Sequence, residues 1–439
     1  MPPNSESPSQ RVPGAVWRGT ALQVLGRFWG AGCTVLILWL AARELEVEAF
    51  GRFTFYLALF AWLDSFANMG TGEVAVQRTA AHPEQTESVL GGARRIRFAA
   101  GAIGVALTAA IAFGYREPDA WLLVLAALYP VTHVLELSAT VFRNRIAWGV
   151  PVAMRAVASA LSLAFVAALA QNEVRSPALY LLGVAAGSTL ANVALHLNAR
   201  RHLPRTGAAP APWRGLWSEA WPLGVSALFA QTYFYVDNVF VRELRGEEEL
   251  GPYNIAVRVL SYSIMIAQYT SLTVLPWLRR RHFDGQLGPA LGQLGPPLFA
   301  FAGLSAGLVW PWTTELLELF RPGFGVAGAS LKWLLGATVA IYAGATLLTA
   351  VVAIGLNRQR LWISAGGLAL NVVANFWAVP RYGIAGAGLT TFATEVFVAV
   401  SAAWVLARHG VQLGAAWRWL GGPVSFALAA WMSSHLPLG

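Results

Sequence analysis

Ionisable side chains inside long apolar segments are the residues of this sequence best suited to chemistry. These positions are Arg27, Asp64, Glu136, Arg155, Asp237, Arg258, Lys332 and Glu395. A charge within hydrocarbon is costly, so such groups usually face a protein interior or a watery cavity, where they bind ions or polar solutes. A buried pair that only locks two helices together is the alternative for any one of them.

Two of the arginines indicate a ligand. Arg27 and Arg258 lie in apolar segments of opposite halves of the chain. Because a guanidinium binds phosphate oxygens through two parallel hydrogen bonds, a cavity that contains both arginines suits a pyrophosphate. We therefore predict that both bind substrate. Further polar residues are predicted to line the same cavity: Asp64, Asn68, Asp237, Asn254 and Tyr262.

Two carboxylates are candidates for ion coupling. Glu395 lies near the middle of an apolar segment, and Glu136 follows His133 by three residues, on the same face of another predicted helix. A carboxylate in such a place can carry a coupling proton or sodium ion. The alternative for His133 and Glu136 is an interhelical pair whose hydrogen bonds are satisfied.

Motifs for catalysis, metals and nucleotides are missing from the sequence. The single lysine follows a leucine, so there is no Gly-Lys-Ser/Thr phosphate loop. The single cysteine, Cys33, excludes a disulfide within the chain. We expect no cofactor, no metal and no catalytic residue. A membrane-embedded glycan polymerase or ligase would need a large outer loop, whereas the longest one predicted covers about 312–327.

The elements that must position these residues are transmembrane helices. Hydrophobic residues make up 56% of the 439 positions and charged residues 12%, about half the charge of a soluble domain. The apolar residues form segments of about 20 residues, the length with which a helix crosses the hydrocarbon core. The predicted spans are 17–42, 50–71, 92–114, 119–143, 147–171, 177–200, 217–241, 252–277, 290–311, 328–355, 360–380 and 384–407, with a weaker thirteenth candidate at 417–435.

The connections between these spans alternate in charge. With the N-terminus in the cytosol, nineteen arginines fall in inside connections and eight in outside ones, which hold twelve of the 22 acidic residues. This is the pattern of the positive-inside rule. The net charge of +9 is therefore a topology signal and an attraction to anionic membrane lipids. We expect no nucleic-acid partner.

Two echoes predict a repeat of six helices. Phe50-Gly51-Arg52-Phe53 opens the second span and Leu250-Gly251-Pro252-Tyr253 opens the eighth, while Arg143-Asn144-Arg145 and Asn357-Arg358-Gln359-Arg360 precede the fifth and the eleventh. Both halves would start inside, so the repeat is parallel, with its axis along the membrane normal. The predicted domains are a disordered cytosolic tail 1–14, lobes 15–200 and 217–408, a cytosolic linker 201–216 and a C-terminal tail 409–439.

Residues 39–83 contain a series of short motifs. They are Leu40-Ala41-Ala42-Arg43, Phe50-Gly51-Arg52-Phe53, Leu57-Ala58-Leu59-Phe60, Phe66-Ala67-Asn68-Met69-Gly70-Thr71-Gly72 and Ala80-Ala81-His82-Pro83-Glu84. Together they resemble the N-terminal region of the polysaccharide-biosynthesis flippases, which belong to the multidrug/oligosaccharidyl-lipid/polysaccharide (MOP) transporter superfamily. The resemblance in topology extends to about residue 408.

That resemblance implies an all-α membrane protein with two pseudo-symmetric six-helix lobes around a central cavity. It also implies an activity, the flipping of undecaprenyl-pyrophosphate-linked oligosaccharides across the bacterial inner membrane by a monomer. The family places cavity charge on the first two helices of each lobe, here Arg27, Asp64, Asp237 and Arg258. A drug or cation exporter of the same superfamily is the main alternative.

Overall fold

The protein is predominantly helical in the part of the chain that the computed structural model describes, residues 14–144, 147, 149–203, 209–413 and 421–435. The first half forms α1 (Gly14–Glu44), α2 (Val47–Asn68), α3 (Thr71–Ala81), α4 (Thr86–Gly114), α5 (Ala120–Ala126), α6 (Leu128–Thr132), α7 (Ala139–Asn144), α8 (Gly149–Gln171) and α9 (Pro177–Arg200). The second half forms α10 (Trp213–Arg245), α11 (Glu247–Ser263), α12 (Met265–Phe283), α13 (Leu287–Val309), α14 (Thr313–Glu318), α15 (Gly328–Ala353), α16 (Asn357–Arg408) and α17 (Gly421–Ser434). Short 3₁₀ helices cover Pro83–Gln85, His133–Ser138, Trp310–Trp312 and Phe324–Ala327.

The helices match the predicted membrane spans. Among the described residues, eight helical stretches are long and apolar enough to cross a membrane. One of them, α16, contains two predicted spans, because Gly383 breaks the helix with φ 58° and ψ −145°, a conformation that glycine adopts readily. More polar spans are helical as well, namely α2, α10 and the α11–α12 pair. The prediction of an all-α, multi-pass membrane protein is therefore confirmed.

Two predicted spans are interrupted. The span predicted at 119–143 is divided into α5, α6, a 3₁₀ segment at His133–Ser138 and α7. Pro130 lies just before the 3₁₀ segment and has no amide hydrogen to donate to the preceding turn. The span predicted at 252–277 is divided between α11 and α12 at Ile264. Interrupted membrane helices often mark the sites of transporters, since the break frees backbone polar groups.

The chain forms two compact units. Unit 1 comprises the residues up to Ile37, Gly70–Ala168 and Leu182–Trp221, and unit 2 comprises Leu38–Met69, Leu169–Leu181 and the residues from Pro222 onward. Each unit combines segments that are distant in sequence. The lobes predicted at 15–200 and 217–408 divide the chain differently and stay a prediction.

Unit 1 has its core between α3, α4, α7, α9 and the first turns of α10. The largest buried side chains there are Leu90, Leu137, Phe142, Leu195 and Leu216. The end of the predicted linker is held on α4, because Ala211 N donates to Ser88 O at 2.9 Å and Ser88 Oγ to Ala209 O at 2.7 Å. The middle of the linker, 204–208, and the predicted tail up to residue 13 lie outside the described residues.

Unit 2 has its largest core between α12, α13, α15 and α16, around residues such as Leu291, Leu347, Val351, Ile363 and Leu406. The thirteenth candidate span also belongs to this unit. Its described part is α17, which packs on α13 with a hydrogen bond from Ser425 Oγ to Ala300 O at 2.8 Å. The 14 residues of α17 give a length of about 21 Å, shorter than a hydrocarbon core of about 30 Å. Residues 414–420 and 436–439 lie outside the described part.

Candidate functional site

Asp237 is the centre of a buried polar network in unit 2. Its side chain lies on α10 and is only 2% exposed. Three side chains from other helical segments donate hydrogen bonds to its carboxylate: Tyr253 Oη at 2.9 Å, Asn375 Nδ2 at 2.7 Å and Thr391 Oγ1 at 2.7 Å. Tyr253 is on α11, while Asn375 and Thr391 are on the two legs of α16, before and after the break at Gly383.

Glu395 lies one turn of α16 beyond Thr391 and is 5% exposed. It accepts a hydrogen bond from Tyr233, which lies one turn before Asp237 on α10. The contacts Asp237–Thr391 and Tyr233–Glu395 therefore connect α10 to the part of α16 after Gly383 at two successive helical turns. We call this pair of contacts the ladder. Since one helical turn rises about 5.4 Å, the carboxylates of Asp237 and Glu395 lie about one turn apart along a shared polar axis.

The groups of the ladder are of the types that bind small cations. The carboxylate of Asp237 is surrounded by neutral amide and hydroxyl groups, and hydroxyls can turn their lone pairs as well as their hydrogens toward a ligand. Asn375 Oδ1 is buried and has no hydrogen-bond partner within the described chain, so a further oxygen is available there. Carboxylate, amide and hydroxyl oxygens are the ligands of hard cations. A proton on Asp237 or Glu395 would satisfy the same sites.

The two copies of the first echo, at Phe50–Phe53 and Leu250–Tyr253, meet within unit 2. A methyl group on Gly51 would overlap the backbone carbonyl of Glu247, and one on Gly251 would come within 2.8 Å of the Phe50 ring. Three residues further along both helices, Asn254 Nδ2 donates to Thr54 Oγ1 at 3.2 Å. The N-terminal turns of α2 and α11 are thus in close contact at equivalent positions of the repeat, as a pseudo-two-fold arrangement requires.

An ion network closes the same end of α2 and α11. Arg52 Nη1 on α2 lies 3.0 Å from Glu247 Oε2, and Arg242 Nη2 on α10 lies 2.6 Å from Glu247 Oε1. The guanidinium of Arg242 also lies 4.3 Å from the centre of the Phe55 ring, a favourable cation–π distance. Glu247 therefore joins the first helical pair of each half, at the end that the topology predicts to be outside.

Arg27 lies in unit 1, at an exposed position on the polar face of α1. It shares that face with Gln23 and Thr34, at helical spacings of four and seven. The opposite face presents Leu25, Trp29 and Leu36, which are all exposed. The guanidinium of Arg27 is therefore directed away from the apolar stripe of its helix.

The other predicted cavity residues lie in unit 2. Arg258 occupies the face of α11 that also presents Asn254 and Tyr262, at spacings of four, and all three are half-buried. Asn254 is the residue that contacts Thr54, so this face of α11 is turned toward α2. Asp64 and Asn68 lie one turn apart on α2 and are also half-buried. Near them, Trp62 Nε1 donates to Thr232 Oγ1 on α10 at 2.9 Å.

Glu136 belongs to a second ionic cluster, in unit 1. It lies in the 3₁₀ segment of the interrupted span, and three basic side chains reach its carboxylate. Arg97 Nη1 and His133 Nε2 each lie 3.5 Å from Glu136 Oε2, and Arg155 donates to Glu136 Oε1. The sequence pattern paired Glu136 with His133 and placed Arg97 among the cytosolic arginines, whereas Arg97 is 4% exposed within the cluster.

Neutral members of the Asp237 network were missed by the sequence analysis. Asn371 and Asn375 are one turn apart, and Asn375 Nδ2 lies 2.9 Å from Asn371 Oδ1, while Asn371 Nδ2 lies 3.3 Å from Thr394 Oγ1. A signal was present, since two asparagines at a spacing of four in an apolar segment form a polar stripe. Their partner could not be identified, because a stripe does not specify which helix it faces.

Comparisons with known proteins give a family and a fold. A family model described as "Polysaccharide biosynthesis protein" matches residues 16–282. No protein of curated function matches the sequence significantly. The structure is similar to the lipid II flippase MurJ in an inward closed conformation, with 11% identity, a TM-score of 0.70, and coverage of 95% of this chain and 97% of that one.

Transporters of the MATE family are also similar in structure. An inward-facing multidrug resistance MATE transporter of the MOP superfamily has 13% identity, a TM-score of 0.68, and coverage of 87% of this chain and 95% of that one. A mutant of the MATE transporter VcmN from Vibrio cholerae has 14% identity, a TM-score of 0.61, and coverage of 91% and 97%. At such identities the likeness establishes the fold.

Proposed function

Because the chain belongs to the polysaccharide biosynthesis protein family, we propose that it is an alternating-access flippase for a polyprenyl-pyrophosphate-linked oligosaccharide. The substrate passes from the cytosolic to the outer leaflet of a bacterial inner membrane. Its sugar and pyrophosphate enter a watery cavity while the polyprenyl tail stays in lipid. The protein works as a monomer with its N-terminus in the cytosol.

The observation that supports an anionic substrate is the direction of Arg27. An arginine opposite the apolar stripe of a membrane helix has left the lipid for a polar interior, and guanidinium is well suited to a pyrophosphate. Arg258 adds a second cation on the polar face of α11, beside Asn254 and Tyr262. We assign both arginines to the pyrophosphate and the polar residues Asp64, Asn68 and Asn254 to the cavity wall, as the sequence analysis predicts.

The ladder in unit 2 supports coupling to a proton or a sodium ion. Asp237 and Glu395 are carboxylates within the membrane-spanning region, one turn apart, and their neighbours are neutral. Binding of a cation there alters the contacts between α10, α11 and α16. A rearrangement of these helices can change which side of the cavity is open.

Export of drugs or cations is the second candidate. The similarity to multidrug transporters in fold favours it, and so do the buried carboxylates. However, Asp237 and Glu395 are almost completely enclosed, whereas the arginines lie on partly or fully exposed positions. Among the predicted cavity residues, two arginines and one carboxylate, Asp64, are therefore accessible to a large solute, and this excess of positive charge favours an anionic substrate.

The test is flipping of a fluorescent undecaprenyl-pyrophosphate oligosaccharide in proteoliposomes. We expect wild type to flip the lipid and Arg27→Ala or Arg258→Ala to lower the rate roughly tenfold or more, the loss of one charge-assisted contact. Arg175→Ala, an exposed arginine between α8 and α9, is the matched control and should flip at the wild-type rate. Efflux of cationic dyes without flipping of any glycan lipid would replace this proposal with the exporter.

A further inference from the structure

The cluster around Glu136 contains two arginines with different environments. Arg97 is 4% exposed and also donates from Nε to Thr71 Oγ1 at 2.9 Å, so it is fixed in the core of unit 1. The side chain of Arg155 is 48% exposed, and Glu136 is the partner that it reaches. A pair that only locks helices would keep both side chains largely enclosed, as in the pair of Arg97 and Glu136, whose side chains are 5% and 21% exposed.

The exposed part of Arg155 does not face lipid. On α8, the large hydrophobic residues that are exposed are Val157, Leu161 and Phe165, which form an apolar stripe. Arg155 instead shares its face with Pro151, Ala158 and Ser162, at spacings of four, three and seven, and these three are buried. Its guanidinium therefore opens toward the interior side of unit 1.

Packing of α1 on α8 brings Arg27 to the same level. A methyl group on Gly26 would come within 2.6 Å of the Val152 side chain, and Trp29 Nε1 donates to Ala156 O at 3.0 Å. On α1, Arg27 lies between Gly26 and Trp29. On α8, Arg155 lies between Val152 and Ala156. The two arginines thus lie within about one helical turn, or about 5 Å, of each other along the helix axes, and each is on the face away from the exposed apolar stripe of its helix.

Glu136 can release Arg155 without losing its charge balance. Arg97 remains 3.5 Å from its other oxygen, so the carboxylate keeps one guanidinium counter-ion in the protein interior, and His133 Nε2 stays at the same distance. A phosphate oxygen that replaces Glu136 at Arg155 gains a bidentate contact. The exchange then costs Glu136 its contact with Arg155, while its contacts with Arg97 and His133 remain.

We propose that Arg155 is a further phosphate-binding residue of unit 1, which acts with Arg27 and is occupied by Glu136 until an anion displaces it. The ligand is a pyrophosphate group at the headgroup of a lipid. This inference rests on the proposed function for the lipid, but the exchange at Arg155 concerns binding and not transport. The sequence analysis predicts Glu136 as a candidate for ion coupling. On this proposal Glu136 is instead a counter-ion of Arg155 that the ligand displaces.

The experiment measures equilibrium binding to the full-length protein in nanodiscs. The probes are undecaprenyl pyrophosphate, undecaprenol and inorganic pyrophosphate. We expect Arg155→Ala to weaken binding of the pyrophosphate lipid roughly tenfold or more, with Arg155→Lys in between because a lysine cannot form the bidentate contact. Glu136→Gln should tighten binding several-fold, since it removes the competing carboxylate, and Arg175→Ala should bind as wild type.

The double variant decides whether the effects share one site. If Glu136 acts through Arg155, Glu136→Gln in the Arg155→Ala background gives no gain. Wild-type affinity of Arg155→Ala, or a gain from Glu136→Gln that persists without Arg155, would overturn the proposal. Melting temperatures of all variants identify a fold defect, and Arg155→Lys keeps the test valid if Glu136→Gln unfolds.

The outcomes also separate this inference from the proposed function. Weaker lipid binding by Arg155→Ala in a protein that flips no glycan lipid would support the site and reject the flippase. Arg155-dependent binding of inorganic pyrophosphate alone would support a phosphate site for a soluble ligand and reject the lipid headgroup. Flipping by the wild type together with wild-type lipid affinity of Arg155→Ala would support the flippase and reject this site.

Discussion

Asp237 and its neighbour Asn238 show how differently two buried polar residues are treated. Asp237 accepts hydrogen bonds from Tyr253, Asn375 and Thr391. Asn238 is equally buried at 2% exposed, and neither polar atom of its side chain has a partner within the described chain. Asp237 therefore orients the side chains around it. Burial of Asn238 removes its amide from water without a compensating hydrogen bond.

This contrast leads to a stability prediction. Asp237→Asn replaces one accepting oxygen by an amide that can only donate, so at least one of the three donors loses its acceptor, at a cost of about 1–3 kcal/mol. Asn238→Ala removes a group that makes no such bond and should lower stability by less than half as much. Thermal unfolding in detergent, followed by size-exclusion chromatography, measures both variants. Equal losses would contradict the network as described.

The charged residues of the candidate site could be predicted from sequence, but their partners could not. Glu395 and Asp237 stand out because a charge in an apolar segment is rare. Asn375 and Thr391 do not stand out, since neutral polar residues are common in membrane helices and become important only when a particular helix lies beside them. Likewise, His133 was identified as a neighbour of Glu136 because it is local in sequence, whereas Arg97 and Arg155 come from other helices.

At the scale of helices, hydropathy was sufficient to predict where the membrane spans lie, but not whether each span is one continuous helix. The spans predicted at 360–380 and 384–407 end and begin on either side of Gly383, where α16 breaks. The interruption of the span at 119–143 was missed, although Pro130, just before the 3₁₀ segment, is a visible signal in the sequence. The echo at Gly51 and Gly251 is visible in the sequence, but only the fold shows that the helical turns containing these two glycines are in contact.

The attachment of α17 shows what small residues contribute to helix packing. On α13, Gly303 and Gly307 form a small-xxx-small motif, and methyl groups there would overlap the backbone carbonyls of Gly422 and Phe426, respectively. Such close approach allows van der Waals contact along the whole helix pair, which is a main source of helix association in lipid. Ser433 Oγ adds a bond to Gly307 O at 3.3 Å.

Gly307→Ala should therefore detach α17 from α13. The overlap is with backbone, which cannot rotate away, so we expect a loss of roughly 1–3 kcal/mol and faster proteolysis of the C-terminal segment. Gly32→Ala on α1 is a suitable control, because a methyl group there meets nothing within 4 Å. A melting temperature and a proteolysis rate that match the control would mean that the glycine face is not needed for docking.

At the scale of the whole molecule, the resemblance found at residues 39–83 is confirmed, since the chain belongs to the polysaccharide biosynthesis protein family and has the fold of MOP-superfamily transporters. The moving parts are a separate question. The sequence repeat predicts rigid lobes at 15–200 and 217–408, whereas α2 belongs with α11 in compact unit 2. A unit defined by contacts contains residues that are close together in one conformation. Such units need not coincide with the rigid bodies that move during transport.

A disulfide between α2 and α11 distinguishes the two divisions. Thr54 and Asn254 are in side-chain contact at 3.2 Å, and they lie in different predicted lobes but in the same compact unit. Since Cys33 is the only cysteine, a Cys33→Ser background permits a clean pair of Thr54→Cys with Asn254→Cys. If the predicted lobes rock against each other, oxidation of this pair should stop flipping and reduction should restore it.

The control for this experiment is a disulfide that no proposed motion would stretch. Ala300→Cys with Ser425→Cys joins α13 to α17, which are in contact within unit 2, and oxidation of this pair should leave flipping unchanged. Flipping that continues with the 54–254 pair fully oxidised would mean that α2 and α11 move together. The transport cycle would then have to be built on motion between the two compact units, and the close contact of Gly51 with Glu247 would be a permanent joint.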